Sequence, residues 1–385
     1  MTANFNIKDK QMRILILTKR QYTNKDLIDD RFGRLYELPL ELARTGHQVT
    51  VICLSYRIKE EGHLLGPSKD GTTANWYSHN LGRFIIPGLI RYLKKVERLY
   101  SDFKPDLIFA CSDAPHIIYG YKIARKLSIP CIIDLYDNFE SFGLTKLPGI
   151  LPLFKRAVKN AAGVVCVSSN LQNYIERSYR TKGMVQTISN GIPPELFHSI
   201  DRSICRKKLK LPANAKLIGT AGALGSSRGI NTLFDGYKEL VATDPSIHLV
   251  LAGSVEPGTT LPESDKIHYL GNLDYRDVPV LFNALDVGVI CNIDSPFGHF
   301  CFPQKLYEMV ACNLPVVAAR VGASAEIMKE YPDFLFSPGD HQSLADAVKK
   351  QLKKPNRVQI TVPTWETLAT KLGLLIQNTK VYPIV

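Results

Sequence analysis

Apolar residues along this chain alternate between two textures: short unbroken runs, and longer stretches where they return every three or four positions. Arg13-Ile-Leu-Ile-Leu-Thr18 is of the first kind and predicts a strand buried on both faces of a parallel sheet. Leu35, Leu38, Leu42 and Ala43 then fall at helical spacing over 35–45, and Gly46 with His47 ends that helix. The run 49–54 predicts a second strand and completes a βαβ unit. The alternation continues with strands predicted at 106–111, 131–135, 163–167 and 185–189, and helices at 117–127 and 171–179.

Asn190-Gly-Ile-Pro-Pro194 is a turn and breaker cluster, after which the alternation restarts. Strands are predicted at 217–220, 249–252, 267–270, 287–291, 315–319 and 334–336, and helices at 229–242, 278–284, 304–311 and 343–352. An amphipathic helix over 364–378 follows Pro363. The reading is an α/β chain of two doubly wound, Rossmann-like domains, 1–195 and 196–363, with 364–385 crossing back to the first.

Composition changes this picture little: 385 residues, 45% hydrophobic and 22% charged, suit two soluble globular domains. Residues 1–11 lack the pattern of a secretory signal, and no apolar run approaches the roughly 20 residues that span a bilayer. The eight cysteines lie mostly in apolar runs and none makes a Cys-x-x-Cys pair, so reduced core thiols in the cytoplasm are expected. Charge is uneven. Residues 1–195 hold 28 Lys+Arg against 18 Asp+Glu, whereas 196–385 hold 20 against 18. A basic first half predicts an anionic surface or substrate on that side.

Tandem doubly wound domains bind ligands where the carboxyl ends of their sheets face a shared cleft. No G-x-G-x-x-G opens a helix after a strand, no P-loop is present, and no spaced Cys/His set suggests a metal. Nor is there a nucleic-acid motif or aromatic-basic repeat. Gly222-Ala-Leu-Gly-Ser-Ser-Arg-Gly-Ile230 directly follows a predicted strand. Gly222 and Gly225 permit close backbone approach to a ligand, and Arg228 at the mouth of the next helix suits a diphosphate; a plain glycine-rich turn fits the same letters. In Phe302-Pro-Gln-Lys-Leu-Tyr-Glu308, Lys305 and Glu308 share a helix face, fitting a phosphate and a ribose diol, or an ordinary surface ion pair.

These residues together resemble the family-4 (group 1) glycosyltransferases of the GT-B fold. The resemblance rests on Ser189-Asn-Gly-Ile192, Gly222…Arg228-Gly229, Leu251-Ala-Gly253, Tyr269-Leu-Gly271 and Glu308-Met-Val-Ala…Pro315-Val-Val, in that order. Ala43-Arg-Thr-Gly-His-Gln-Val-Thr-Val51 and Trp365-Glu…Ala369 extend it to nearly the whole chain. It implies a nucleotide-sugar-dependent hexosyltransferase-like enzyme acting on a glycan or lipid-linked acceptor in cell-surface polysaccharide synthesis. Donor binding is expected to close the domains and exclude water, without a metal or other cofactor. Among donor-binding residues, Glu308 matches the second Glu of the family's paired-Glu motif, and Arg228 the basic residue before the glycine. Gly222, Gly253 and Gly271 match glycine turns around the nucleotide, and Gly33 the loop between first strand and helix.

This chain also departs from the pattern. Phe300 stands where the first Glu of the pair belongs, and Ala223 where an Arg usually follows the glycine. Phe302-Pro-Gln-Lys305 instead resembles a Pro-x-Lys subgroup in which Lys305 supplies the positive charge. A retaining outcome is expected. In place of the family's histidine after an N-domain strand, Asp137 and then Glu140 follow the strand at 131–135 as catalytic candidates, with Asp113 in reserve. Asp137 equally suits a helix cap. An epimerase of the same fold and a catalytically silent binding partner are the rival expectations.

Finally, 84–103 carries Ile85, Leu89, Leu93, Val96, Leu99 and Tyr100 at helical spacing, flanked by Arg91, Lys94, Lys95 and Arg98. Such a helix lies on an anionic bilayer or packs in a domain with a solvated basic face. With the apolar-basic stretch 146–156, it suggests peripheral contact with the inner face of the membrane.

Overall fold

The computed structural model describes residues 11–22, 25–65, 74–141 and 143–379. The chain forms two compact units, one made of Met1–Asn190 with Trp365–Val385, the other of Gly191–Thr364. The division thus falls at Asn190–Gly191, inside the breaker cluster, rather than after residue 195.

Unit 1 opens with β1 (Arg13–Lys19), the short pair β2 (Gln21–Tyr22) and β3 (Lys25–Asp26), α1 (Arg34–Arg44) and β4 (Gln48–Ser55). Next come β5 (Gly62–Leu65), β6 (Asn75–Asn80), α2 (Ile85–Phe103), β7 (Leu107–Ala110), α3 (Ala114–Leu127) and β8 (Cys131–Leu135). It continues with α4 (Ile150–Asn160), β9 (Gly163–Cys166), α5 (Ser169–Tyr179) and β10 (Met184–Thr187). The sheet order is β10-β9-β8-β7-β1-β4-β6-β5, parallel except for the antiparallel edge strand β5. Ile14 to Leu17 are essentially inaccessible because β1 is central and covered on both faces. The chain winds outward from β1 to β4 and β6, then returns through α2 to β7. The order therefore reverses between β1 and β7.

Unit 2 contains α6 (Arg202–Lys208), β11 (Lys216–Ala221), α7 (Ile230–Thr243), β12 (Ile247–Ala252), β13 (Ile267–Tyr269) and α8 (Val278–Ala284). It proceeds with β14 (Val287–Ile290), α9 (Pro296–Phe300), α10 (Gln304–Ala311), β15 (Val316–Ala319), α11 (Gly322–Ile327), β16 (Leu335–Phe336) and α12 (His341–Lys353). Its sheet, β13-β12-β11-β14-β15-β16, is fully parallel and reverses order between β11 and β14. The last helix, α13 (Trp365–Asn378), buries Trp365, Leu368, Ala369, Leu372, Leu375 and Ile376 in the unit 1 core, where it packs on α1.

Two of the elements that escape the hydrophobic pattern have a visible physical reason. Strand β6, Asn75-Trp-Tyr-Ser-His-Asn80, reads as polar, yet Ser78 is buried because it accepts a hydrogen bond from the inaccessible Arg20 guanidinium at 2.9 Å. Helix α4 is masked in sequence by Pro148, Gly149 and Pro152. Gly149 takes φ 82° as its N-cap, and Pro152 falls in the first turn, where no N–H is needed. Asn313 adopts φ 57° just beyond Cys312, the C-cap of α10.

Candidate active site

In unit 2 the carboxyl ends of three neighbouring strands finish in glycine turns. Gly222 after β11 (φ 116°), Gly253 after β12 (φ 121°) and Gly271 after β13 (φ 68°) all occupy the left-handed half of conformational space. Gly253 donates its N–H to the Gly271 carbonyl at 2.7 Å, and a Cβ on Gly253 would stand 1.8 Å from the Gly222 carbonyl oxygen. Backbone thus packs directly on backbone. Gly229 (φ 79°) is the N-cap of α7 and abuts the Cys291 carbonyl, at the end of β14. The mouth of α7 therefore lies at the switch point between β11 and β14, where open α/β sheets bind their ligands.

Lys305 projects from the first turn of α10 to the same place. Its amino nitrogen would be 3.5 Å from a Cβ on Gly222. Burial pushes its pKa down, and no ion pair or hydrogen bond partners it among the described residues. Glu308, one turn on, is 7% exposed and accepts hydrogen bonds from Gln304 Nε2 at 3.1 Å and the Tyr275 hydroxyl at 3.3 Å. Burial raises its carboxyl pKa to about 7 against those hydrogen bonds and the charge of Lys305. The two side chains are therefore not the exposed ion pair that the spacing allows. Arg228 lies with its guanidinium carbon 3.7 Å from the Phe297 ring centroid, and its Nε is 3.8 Å from Glu256. It is near enough to Lys305 to depress that pKa further. This places Gly222, Gly253, Gly271, Arg228, Lys305 and Glu308 at one edge of one sheet. Phe297 and Tyr275, which sequence reasoning missed, sit in the five-residue helix α9 and in a three-residue 3-10 turn, both too short to carry a periodic signal.

Gly33, Asp137 and Glu140 belong to unit 1. Gly33 (φ 79°) opens α1, and a Cβ there would collide with the Tyr22 ring at 2.5 Å. The next residue, Arg34, is fully buried and forks onto Asp134 of β8 at 2.7–3.0 Å, its Nη1 reaching the Ile188 and Ser189 carbonyls. Asp137 accepts the Asn138 N–H at 2.8 Å and is only partly buried. Glu140 is differently placed. Tyr174, Tyr179 (2.6 Å) and Lys155 (2.9 Å) hold its carboxylate, and they outweigh burial to lower its pKa.

The switch point of unit 1 also carries charge. Lys19 ends β1, its N–H bonded to Ser112 Oγ at 3.0 Å. Burial lowers the Lys19 pKa, while Asp113 and Asp137 act to raise it. Asp113 caps α3, pairs with His116 at 2.5 Å and accepts the Tyr56 hydroxyl at 3.0 Å. Burial works against the ionised form, but His116 and Lys19 bring the Asp113 pKa to about 2. Among the described residues no group of His, Cys, Asp and Glu is arranged to hold a metal, and no helix is long and apolar enough to cross a membrane.

Comparison with known proteins identifies the family. Over 285 residues the chain is 25% identical to a putative teichuronic acid biosynthesis glycosyltransferase, TuaC of Bacillus subtilis, covering 70% of each chain. It is 26% identical over 208 residues to the capsular polysaccharide biosynthesis glycosyltransferase CapM of Staphylococcus aureus, covering 51% of this chain and 53% of CapM. In three dimensions it resembles sucrose-phosphate synthase from Thermosynechococcus elongatus, with a TM-score of 0.76 and 18% identity over 95% of this chain and 98% of that one. Anabaena HepE in complex with UDP-glucose matches with a TM-score of 0.67 and 19% identity over 96% of both chains. The Glycosyltransferase Family 4 model matches residues 34–196 and the Glycosyl transferases group 1 model residues 201–362, one for each unit. The chain is therefore a glycosyltransferase of the GT-B fold and belongs to the family-4, group 1 enzymes.

Proposed function

We propose that the chain transfers a sugar from a nucleoside-diphosphate sugar to a glycan or lipid-linked acceptor in cell-surface polysaccharide synthesis, with retention at the anomeric carbon. The observation that carries the donor site is Lys305, a desolvated ammonium with no ion pair or hydrogen bond among the described residues, set against the Gly222 turn at the switch point of unit 2. A diphosphate supplies the missing negative charge, and Arg228 adds a second cation able to donate two parallel hydrogen bonds. With the N–H groups at the start of α7, these residues take the leaving-group charge, so no metal is required. Glu308, held near neutrality, faces the ribose diol as donor and acceptor. The names of TuaC and CapM support a polysaccharide product, and the HepE complex supports a nucleotide-sugar donor.

Asp137 is the residue we assign to acid–base work on the acceptor hydroxyl. Glu140 is an anchor. Its tyrosine and lysine partners tie the turn after β8 to α4 and α5.

The test is thermal stabilisation against a panel of nucleoside diphosphates and their sugar conjugates, since a ligand of the native state raises the melting temperature by mass action. The expected result is a clear shift with one base in the wild type. In Lys305→Met that shift falls, with a roughly 10- to 100-fold loss of affinity. Melting of the ligand-free variant should change little, because Lys305 makes no hydrogen bond or ion pair among the described residues and its removal relieves a desolvated charge. Wild-type affinity in the variant overturns the site.

A further inference from the structure

Helix α2 buries one narrow line of residues, Gly88, Tyr92, Val96 and Tyr100, each one turn from the next. Leu93, Leu99 and Phe103 are partly buried, whereas the apolar side chains of its first turns stand in the open. Phe84 is 72% exposed and Ile86 71%, and Ile85, Leu89 and Ile90 are also exposed. A second group, Leu144, Leu147 and Leu153, stands exposed at the approach to α4 and in its first turn. Single exposed leucines are ordinary, but clusters at the starts of two helices are not.

The topology of unit 1 puts these clusters on one side. From β6 onward the chain moves steadily in one direction across the sheet, so right-handed crossovers carry α2, α3 and α4 over the same face. Each helix runs back against parallel strands and starts at their carboxyl edge. Helix α3 lies between the other two: its Tyr119 hydroxyl bonds to the Leu93 carbonyl of α2, Lys126 pairs with Glu97, and it packs along α4. The first turn of α2 packs backbone to backbone on the loop before it, since a Cβ on Gly88 would stand 1.6 Å from the Leu81 carbonyl oxygen.

Charge identifies the occupant. From Leu81 to Val96 the sequence holds Arg83, Arg91, Lys94 and Lys95 and no acid, and from Gly143 to Lys159 Lys146, Lys155, Arg156 and Lys159 and no acid. Of these, Arg83, Arg91, Lys94, Lys146, Arg156 and Lys159 are exposed and have no ion-pair partner among the described residues. Protruding apolar side chains ringed by cations match a surface with an apolar interior beneath an anionic layer. We infer that this edge of unit 1, formed by the starts of α2 and α4, docks on an anionic lipid bilayer. The residues in Phe84–Ile90 and Leu144–Leu153 enter the acyl boundary while the cations meet headgroups. The inference stands on unit 1 alone and does not depend on the donor assigned to unit 2.

The experiment is flotation of the full chain with vesicles of phosphatidylcholine plus phosphatidylglycerol and with phosphatidylcholine alone, at low and high salt. Binding to the anionic vesicles is expected, weakened by salt and at least about tenfold lower with neutral ones. The double variant Phe84→Ser, Ile86→Ser should lose about tenfold or more of that binding, with its melting temperature unchanged because both side chains are already in water. In Phe84→Trp the indole emission should shift to the blue when anionic vesicles are added. No binding by the wild type, or equal binding by the double variant with an unshifted Trp emission, overturns the inference. Capture on a soluble acidic protein or polyanion with no affinity for the vesicles overturns it too.

Discussion

The two sheets each reverse order once, and each reversal carries a desolvated lysine, but the lysines have opposite company. Lys305 in unit 2 stands beside a second cation, Arg228, and a carboxyl held near neutrality, Glu308. Lys19 in unit 1 stands between two carboxylates, Asp113 and Asp137. The first surrounding is short of negative charge, which is the basis for the proposed diphosphate site. The second already has it in excess and suits a hydroxyl from which a proton must be drawn. A buried charge that the fold itself pairs, such as Arg34 with Asp134, is part of the scaffold. A buried charge left short of a partner points to a ligand, so the same fold, used twice, is differentiated by where its charges are left incomplete.

The largest effect should come from the acidic side of this comparison. Asp137→Asn is expected to slow turnover about 100- to 10,000-fold while leaving donor affinity intact, as for loss of an acid–base residue. Glu140→Gln should keep the rate within a few-fold and lower the melting temperature, because its carboxylate serves Tyr174, Tyr179 and Lys155. Release of nucleoside diphosphate from the donor identified by melting, with and without acceptor, measures the rates. If Glu140→Gln is the variant that abolishes turnover, the roles assigned to the two carboxylates fail.

A smaller effect concerns Glu308 and stability. Its folded-state pKa, about 7, is raised above the ordinary glutamate value by burial. A raised carboxyl pKa stabilises the fold fully below the unfolded pKa, and that stability is lost as pH rises from there through about 7. The loss is on the order of 3–4 kcal/mol. Glu308→Gln cannot ionise, so the variant should gain on the wild type as pH climbs through this window. Melting temperatures of both proteins across the window test this, and parallel pH profiles would show that Glu308 is ionised throughout.

How much of this was legible beforehand follows from the range of the interactions involved. Helices 278–284 and 304–311 are readable because their apolar spacing is local, and the glycine turns at Gly222 and Gly229 because their backbone needs are local. The spacing of Lys305 and Glu308 is legible too, but not their burial, which depends on strands and turns far away in sequence. Arg34 meets Asp134 across 100 residues, and Lys19 meets Asp113 across the switch point, so neither leaves a pattern in its own neighbourhood. Strand β6 hides behind polar letters for the same reason: Ser78 is made a core residue by Arg20.

The smallest effect tests the cationic side. Arg228 is partly exposed, stacked on Phe297 and loosely drawn to Glu256 at 3.8 Å. A stacked guanidinium at such a site contributes about 0.5–1 kcal/mol to the fold, so Arg228→Ala should barely change ligand-free melting. Its donor affinity should still fall by roughly tenfold, because a two-pronged hydrogen-bond donor to the diphosphate is gone. Arg228→Lys keeps the charge but neither the fork nor the planar stack, and should recover only part of the loss. Titration of each variant with the nucleotide found in the melting panel separates these outcomes. Full recovery by lysine would mean that the site reads net charge alone, with the stacking on Phe297 contributing nothing to how the diphosphate is held.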